Sequence, residues 1–232
     1  MDQVVTRQDL ADTEVLALTT LQPLVDRIRR IGAGRHRVMI GLAGAPGAGK
    51  STVAADLVRA LAPDPAVVVP LDGFHLAASV IAGTELAHRR GAIDTFDGEG
   101  FRALVSRLRA NESTVYAPRY AREIEDPIGS SIVVPVETRF LIVEGNYILE
   151  PTSPWREARA ELDEVWYLDL DPAVRLARLV ARHVEFGKSA TEAVRWSQSS
   201  DETNARLIES HRRRADLVIN LEGSGELTVA DH

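Results

Sequence analysis

The chain has 232 residues, 45% of them apolar, a formal net charge of −7 and no cysteine. That length suits one sizeable α/β core with room for a small insertion. The acidic balance argues against a nucleic-acid binder, whose surface is basic, and the lack of cysteine excludes disulfides, thiolate metal sites and cysteine nucleophiles. Met1-Asp2-Gln3-Val4-Val5 lacks the basic start and apolar stretch of a signal peptide. No apolar run approaches the roughly 20 residues of a membrane span, so a cytoplasmic protein is the expectation.

Val15, Leu16, Leu18, Leu21, Leu24, Val25, Ile28 and Ile31 fall at helical spacing. They predict a helix over about 13–31, ended by Gly32-Ala33-Gly34. Arg35-His36-Arg37 reads as a solvated connector into the core, which is expected over about 37–222. Val38-Met39-Ile40-Gly41-Leu42-Ala43 reads as a buried strand, and Val53 to Ala62 as a helix. Between them stands Gly44-Ala45-Pro46-Gly47-Ala48-Gly49-Lys50-Ser51-Thr52, which fits the Walker A pattern G-x-x-x-x-G-K-[ST] in its required strand–loop–helix setting. Such a P-loop turns its backbone N–H groups toward phosphate oxygens. The following helix N-terminus adds its dipole. Lys50 can reach the outer phosphates of ATP, and the Ser51 hydroxyl can ligate Mg²⁺.

Ala66 to Leu71 is a second apolar strand, expected beside the first, and Ala77 to Arg90 reads as a helix. Asp97 is placed to cap a helix through Asn111, with Phe101, Leu104, Val105 and Leu108 on one face. Ser113 to Ala117 and Ser131 to Val136 are β-type, separated by a polar loop, and predict a small hairpin outside the main sheet. Phe140 to Val143 and Val165 to Leu168 are further core strands. Asp171-Pro172 starts a helix that runs to Phe186 and stops at Gly187. Ser189-Ala190-Thr191-Glu192 is a capping box opening another helix to about Arg214. Arg212-Arg213-Arg214 reads as solvated. Ala215 to Asn220 is the last strand, and 223–232 reads as a loose tail. The fold expected is α/β: a mainly parallel sheet of about five strands with helices on both faces, a helical lid over about 178–190 and a β hairpin, in one domain.

Ligands of such sheets sit beyond the carboxyl ends of the strands. Asp72 and Glu144 follow two of the strands, and each precedes a glycine, which permits close approach to a ligand. Phosphoryl transfer needs a phosphate cradle, a metal, positive charge and a group to orient the acceptor. Asp72 suits the last role as general base. Glu144 suits the metal side, with Ser51. Arg175, Arg178 and Arg182 share one helix face, and Arg178 and Arg182 are expected to be lowered onto the phosphates by a lid whose segment His183 to Ser189 moves. Asp171 reads as a cap rather than a site residue.

The P-loop, Asp72-Gly73-Phe74, Asp94-Thr95-Phe96-Asp97, Pro118-Arg119-Tyr120, Val143-Glu144-Gly145 and the Arg178/Arg182 pair together resemble the uridine kinase / phosphoribulokinase / pantothenate kinase family of P-loop kinases. Arg90-Gly91-Ala92, Glu125-Asp126-Pro127 and Glu144-Gly145-Asn146-Tyr147 are similar to those of small bacterial members described as fructose-transport-system kinases or nucleoside/nucleotide kinases. The resemblance spans about Val38 to Ile219. It implies Mg-ATP-dependent phosphorylation of an alcohol on a small metabolite, with Asp72 as base. It also implies an acceptor pocket drawn from Phe74, His75, Phe96, Asp97, Arg119, Tyr120 and Tyr147, with Tyr116 and Arg122 as further candidates. Gly73-Phe74-His75 departs from the uridine kinase pattern, and the long pocket segments of pantothenate kinases are not evident. The acceptor therefore stays open among sugars, nucleosides, pantothenate and glycerate, and self-association as a homodimer stays open too. A nucleoside monophosphate kinase is the alternative enzyme, although adenylate kinases continue their loop with Gly-Thr where this chain has Ser51-Thr52. An ATP-binding regulator without turnover is the alternative from another class. A signalling GTPase is disfavoured because the chain has no Asn-Lys pair.

Overall fold

The computed structural model describes residues 14–18 and 20–221. In chain order the elements are β1 (Glu14–Leu18), α1 (Gln22–Ile31), β2 (Val38–Ala43), α2 (Lys50–Ala60), β3 (Ala66–Pro70), α3 (Ala78–Ile81), α4 (Gly98–Ala110), β4 (Val115–Ala121) and β5 (Asp126–Val134). Then follow β6 (Phe140–Glu144), α5 (Trp155–Ala160), β7 (Glu164–Leu170), α6 (Pro172–Glu185), α7 (Ala190–Trp196), α8 (Glu202–Ser210) and β8 (Leu217–Leu221). Six strands form one parallel sheet in the order β1-β8-β7-β2-β6-β3, and β4 pairs with β5 in a separate antiparallel hairpin.

The strands are apolar on both faces because helices cover both. Met39, Leu141, Val143, Tyr167 and Val218 point to one core, where they meet Phe101 and Val105 of α4 and Trp155 of α5. Ile40, Leu42, Ile142, Trp166, Leu168 and Ile219 point to the other, against Leu24 and Ile28 of α1 and Val53 and Leu57 of α2. Each such side chain contributes about 1.5–3 kcal/mol of burial. The caps stand where the residue types place them. Asp97 accepts from Gly100 N (2.8 Å), Asp171 from Ala173 N (2.9 Å) and Val174 N (3.2 Å), and Ser189 and Glu192 close a reciprocal capping box.

Several expectations change. The helix expected over 13–31 is β1 followed by α1; Thr13 lies outside the described residues. Glu14–Leu18 pairs with β8 at the sheet edge, and Pro23, tolerated only in a first turn, marks the true helix start. The sheet therefore has six strands. β3 does not lie beside β2, because β6 is inserted between them. The helix expected over Ala77 to Arg90 breaks after Ile81, with Gly83 at φ +73°, and resumes as a 3₁₀ turn at Glu85–Arg89. The hairpin strands extend through the polar residues expected to be loop, leaving a turn at 122–125 with Glu125 at φ +50°. The helix expected over 189–214 is interrupted by a π turn at Ser197–Asp201. The expected tail at 223–232 lies outside the described residues.

Two basic runs read as solvated are structural. Arg212 pairs with Asp169 (2.8 Å), and Arg214 Nε donates to Leu149 O (3.0 Å). Arg37 is 6% exposed and donates to the carbonyls of Thr138 (3.0 Å), Leu108 (2.7 Å) and Pro135 (2.9 Å), tying the end of α4 to the chain entering β6. Arg37→Ala leaves these carbonyls without their donor, at roughly 1–3 kcal/mol for each buried group so orphaned. Urea unfolding is expected to show a loss of about 3 kcal/mol or more, while an exposed control such as Arg59→Ala changes stability by less than about 0.5 kcal/mol.

Candidate active site

The loop between β2 and α2 turns at Gly47 and Gly49, with φ of +83° and +90°. A Cβ on Gly47 would stand 2.8 Å from the Arg175 carbonyl oxygen. Only glycine combines that backbone with that contact. Gly49 is the N-cap of α2 and Lys50 its first residue, so the positive end of the helix faces the loop. Pro46, Gly47, Gly49, Lys50, Ser51 and Thr52 line one wall of a cavity of about 750 Å³. Ala45 and Ala48 are buried behind that wall, and Gly44 and Ala45 turn their carbonyls to Lys50.

Lys50 Nζ donates to Gly44 O (2.8 Å) and Ala45 O (3.2 Å). Burial lowers its pKa to about 8, against the opposing pull of Glu144 and Asp72. Ser51 Oγ donates to Glu144 Oε1 (3.0 Å). Glu144 is 5% exposed at the end of β6. Burial, and then the neighbouring Asp72 charge, push its pKa up to about 7, although Lys50 and the Ser51 hydroxyl favour the anion. Asp72 lies in a 3₁₀ turn after β3 and opens on the same cavity. Burial opposes its charge, but the cations Arg122, Lys50 and Arg182 hold its carboxyl below the usual range. Arg122 Nη2 reaches Asp72 Oδ2 at 3.3 Å from the hairpin turn. The insertion of β6 thus sets Glu144 close to the loop and Asp72 one strand further out.

The glycines after these two acids serve packing rather than ligand approach. A Cβ on Gly73 would meet Pro118 O at 2.4 Å, and one on Gly145 would meet Leu71 Cβ at 2.4 Å.

Helix α6 packs on the loop and supplies three arginines with different fates. Arg175 is 2% exposed and pairs with Glu202 (2.5 Å) while donating to Pro46 O (3.3 Å), so it braces the loop from outside the cavity. Arg178 and Arg182 line the cavity. A Cβ on Gly49 would sit 3.3 Å from Arg178 Nη1, which places that guanidinium over the loop.

The acceptor-pocket candidates divide. His75 and Tyr120 line the cavity. The His75 ring lies 4.0 Å from Phe96 and 4.8 Å from Tyr120, centroid to centroid, and its Nδ1 faces Asp72 O at 2.8 Å. A carbonyl only accepts, so Nδ1 carries the proton and Nε2 is left to accept. Burial lowers the His75 pKa, which favours this neutral form. Phe74 and Phe96 pack instead into the core against Phe101 and Tyr147. Tyr147 is 1% exposed and donates to Gly91 O (2.6 Å). Asp97 caps α4, and Arg119 and Tyr116 are exposed on β4. None of these six lines the cavity. The sequence reading missed Arg90, Asn146, Lys188, Trp196, Asp201 and Asn204 as cavity residues. For Asp201 and Asn204 the available signal was two polar residues three apart on the buried side of a helical run.

The Phosphoribulokinase / Uridine kinase family model matches residues 39–226. The chain belongs to this family. It is an ATP-dependent P-loop kinase, and kinases of this family act on small molecules. A Schizosaccharomyces pombe protein provisionally named a uridine kinase is 32% identical over 87% of this chain and 91% of its own. An ATP-dependent kinase, YFH7, of Lachancea thermotolerans is 26% identical over 79% of this chain and 65% of its own. The crystal structure of a Silicibacter protein, provisionally named a fructose transport system kinase, superposes with a TM-score of 0.78 at 37% identity, covering 86% of this chain and 98% of that one. No helix among the described residues is long and apolar enough to cross a membrane.

The raised pKa of Glu144 has a consequence for stability. Its folded value of about 7 lies above the ordinary 4.5, so folding favours the protonated acid. That stability is fully present below pH 4.5 and is lost as pH rises through 7. Glu144→Gln removes the buried charge. The nucleotide-free variant is therefore expected to gain Tm relative to the native protein at pH 8 more than at pH 5, measured by calorimetry at both values. An equal difference at the two pH values counts against a charged, buried Glu144.

Proposed function

We propose that this kinase transfers the γ-phosphoryl group of Mg-ATP to an alcohol of a small metabolite, in the class of sugars, nucleosides or pantothenate, with Asp72 as general base. The observation that carries the reading is the sharing of one cavity by Asp72, the P-loop Lys50, the Ser51–Glu144 pair and two α6 arginines. Mg²⁺ suits Ser51 and Glu144, because it is held by few protein oxygens and relies on phosphates and water for the rest. Bound there, Mg²⁺ supplies charge neutralisation for the phosphates.

The roles of the residues follow from their surroundings. Lys50 exchanges the carbonyls of Gly44 and Ala45 for phosphate oxygens, which match its charge better. Arg178 and Arg182 add positive charge where it builds up in transfer. The α6–α7 segment, 183–189, acts as a lid that opens for exchange of nucleotide. Asp72, held ionised by its cationic neighbours, accepts the proton of the acceptor hydroxyl and orients its oxygen for attack. The whole works as one P-loop kinase domain in the cytoplasm.

Asp72→Asn keeps the shape and removes the proton-accepting charge. It is expected to leave ATP affinity largely intact and to lower kcat by about 10²–10⁴, with the lower end favoured by a loose transition state. Single-turnover ADP release over a panel of sugars, nucleosides, nucleoside monophosphates and pantothenate measures this. A kcat within about threefold of native, with chemistry rate-limiting, removes Asp72 from the mechanism.

A further inference from the structure

Arg175 of α6 does not line the cavity, yet it carries a buried charge that touches the P-loop. Its Nη2 lies 2.5 Å from Glu202 Oε2, and its Nη1 donates to Pro46 O (3.3 Å). Its Nε has no partner among the described residues. The planar fork of the guanidinium is thus shared between the loop and the first residue of α8.

Glu202 is itself held in place. It follows the π turn Ser197–Asp201, and Asp201 pairs with His183 at 2.8 Å. Two adjacent acids therefore grip α6 at Arg175 and at His183, about two turns apart. The π turn carries a local cost, because Ser197 Oγ is buried with no partner among the described residues. Turns of this kind gather at functional positions.

The peptide that Arg175 holds is one that turns easily. Gly47 stands at φ +83°, and a glycine accepts several backbone orientations at little steric cost. The Pro46–Gly47 peptide is planar and trans, so its N–H points opposite to its C=O. With Pro46 O drawn toward Arg175, the Gly47 N–H is turned to the other side of the peptide.

We propose that Glu202 is a positioning residue for the nucleotide. It fixes Arg175 on the Pro46 carbonyl, and Arg175 in turn keeps the Gly47 N–H directed at a phosphate oxygen of ATP. The inference rests on nucleotide binding at the P-loop and is independent of the acceptor and of the base.

Calorimetric titration of ATP, with Tm measured alongside, tests it on native protein, Glu202→Gln, Arg175→Met and the double variant. Glu202→Gln leaves the Arg175 charge buried without its counter-ion, so its Tm is expected to fall. The double variant has neither charge, and its Tm is expected to return toward native. A neutral amide holds the guanidinium less firmly than a carboxylate, and methionine does not hold Pro46 O at all. ATP affinity is therefore expected to stay at least about fivefold below native in all three variants. In the Arg175→Met background, Glu202→Gln is expected to change ATP affinity by less than about twofold. Native ATP affinity in the double variant, recovered together with Tm, marks a purely structural pair; it overturns the inference and leaves the P-loop assignment intact. A further loss of about fivefold from Glu202→Gln in the Arg175→Met background overturns the route through Arg175. If Glu202→Gln alone does not fold, the double variant still decides, since it buries no unpaired charge at this place. Native protein that binds no ATP overturns the P-loop assignment and this inference together.

Discussion

The buried ammonium of Lys50 is the group around which this site is arranged. A lysine charge out of water is costly, and here it is held by two loop carbonyls and by the fields of Glu144 and Asp72. The loop must curl to present those carbonyls, which requires glycine at Gly47. The curled loop is then pinned from the other side by Arg175 and α6. Two acids sit within electrostatic reach of one lysine, and they raise each other's cost of ionisation. Glu144, the more buried, carries the upward shift, whereas Asp72, ringed by arginines, carries a downward one. That division gives two carboxylates of the same cavity different chemical characters.

Sequence separation hides how the cavity is closed. The P-loop, the turn after β3, the hairpin tip and the α6–α7 segment come from four regions of the chain. Lys188 of the α6–α7 segment meets Glu125 of the hairpin, so two peripheral elements touch across the mouth. The insertion of β6 between β2 and β3 sets the strand that leads to Asp72 one place further from the loop than the strand that ends at Glu144.

What was legible in the sequence was what has a local cause. The P-loop, the caps at Asp97, Asp171 and Ser189, and the apolar strands are written in short runs of residues. The two acids at strand ends were legible as well, since the carboxyl edge of a parallel sheet is where ligands sit. The rest was decided by distant contacts. β1 has a helix-compatible pattern and becomes a strand because β8 offers an edge. Phe74, Phe96 and Tyr147 lie next to site motifs, but their rings are drawn into the core, where aromatic burial is worth most. Arg37 and Arg212 look solvated until the carbonyls and the acid that they satisfy are seen. Asn204 belongs to a helical run whose periodicity marks only a buried face, and nothing nearby marks that face as a cavity wall.

The central claim is that Lys50 holds nucleotide phosphate at this loop. Calorimetric titration of ATP into the native protein and Lys50→Ala tests it most directly. Loss of the one lysine charge at the loop predicts at least about tenfold weaker ATP binding, together with near-complete loss of turnover. Unchanged ATP affinity and an unchanged rate in a folded Lys50→Ala protein would contradict the account.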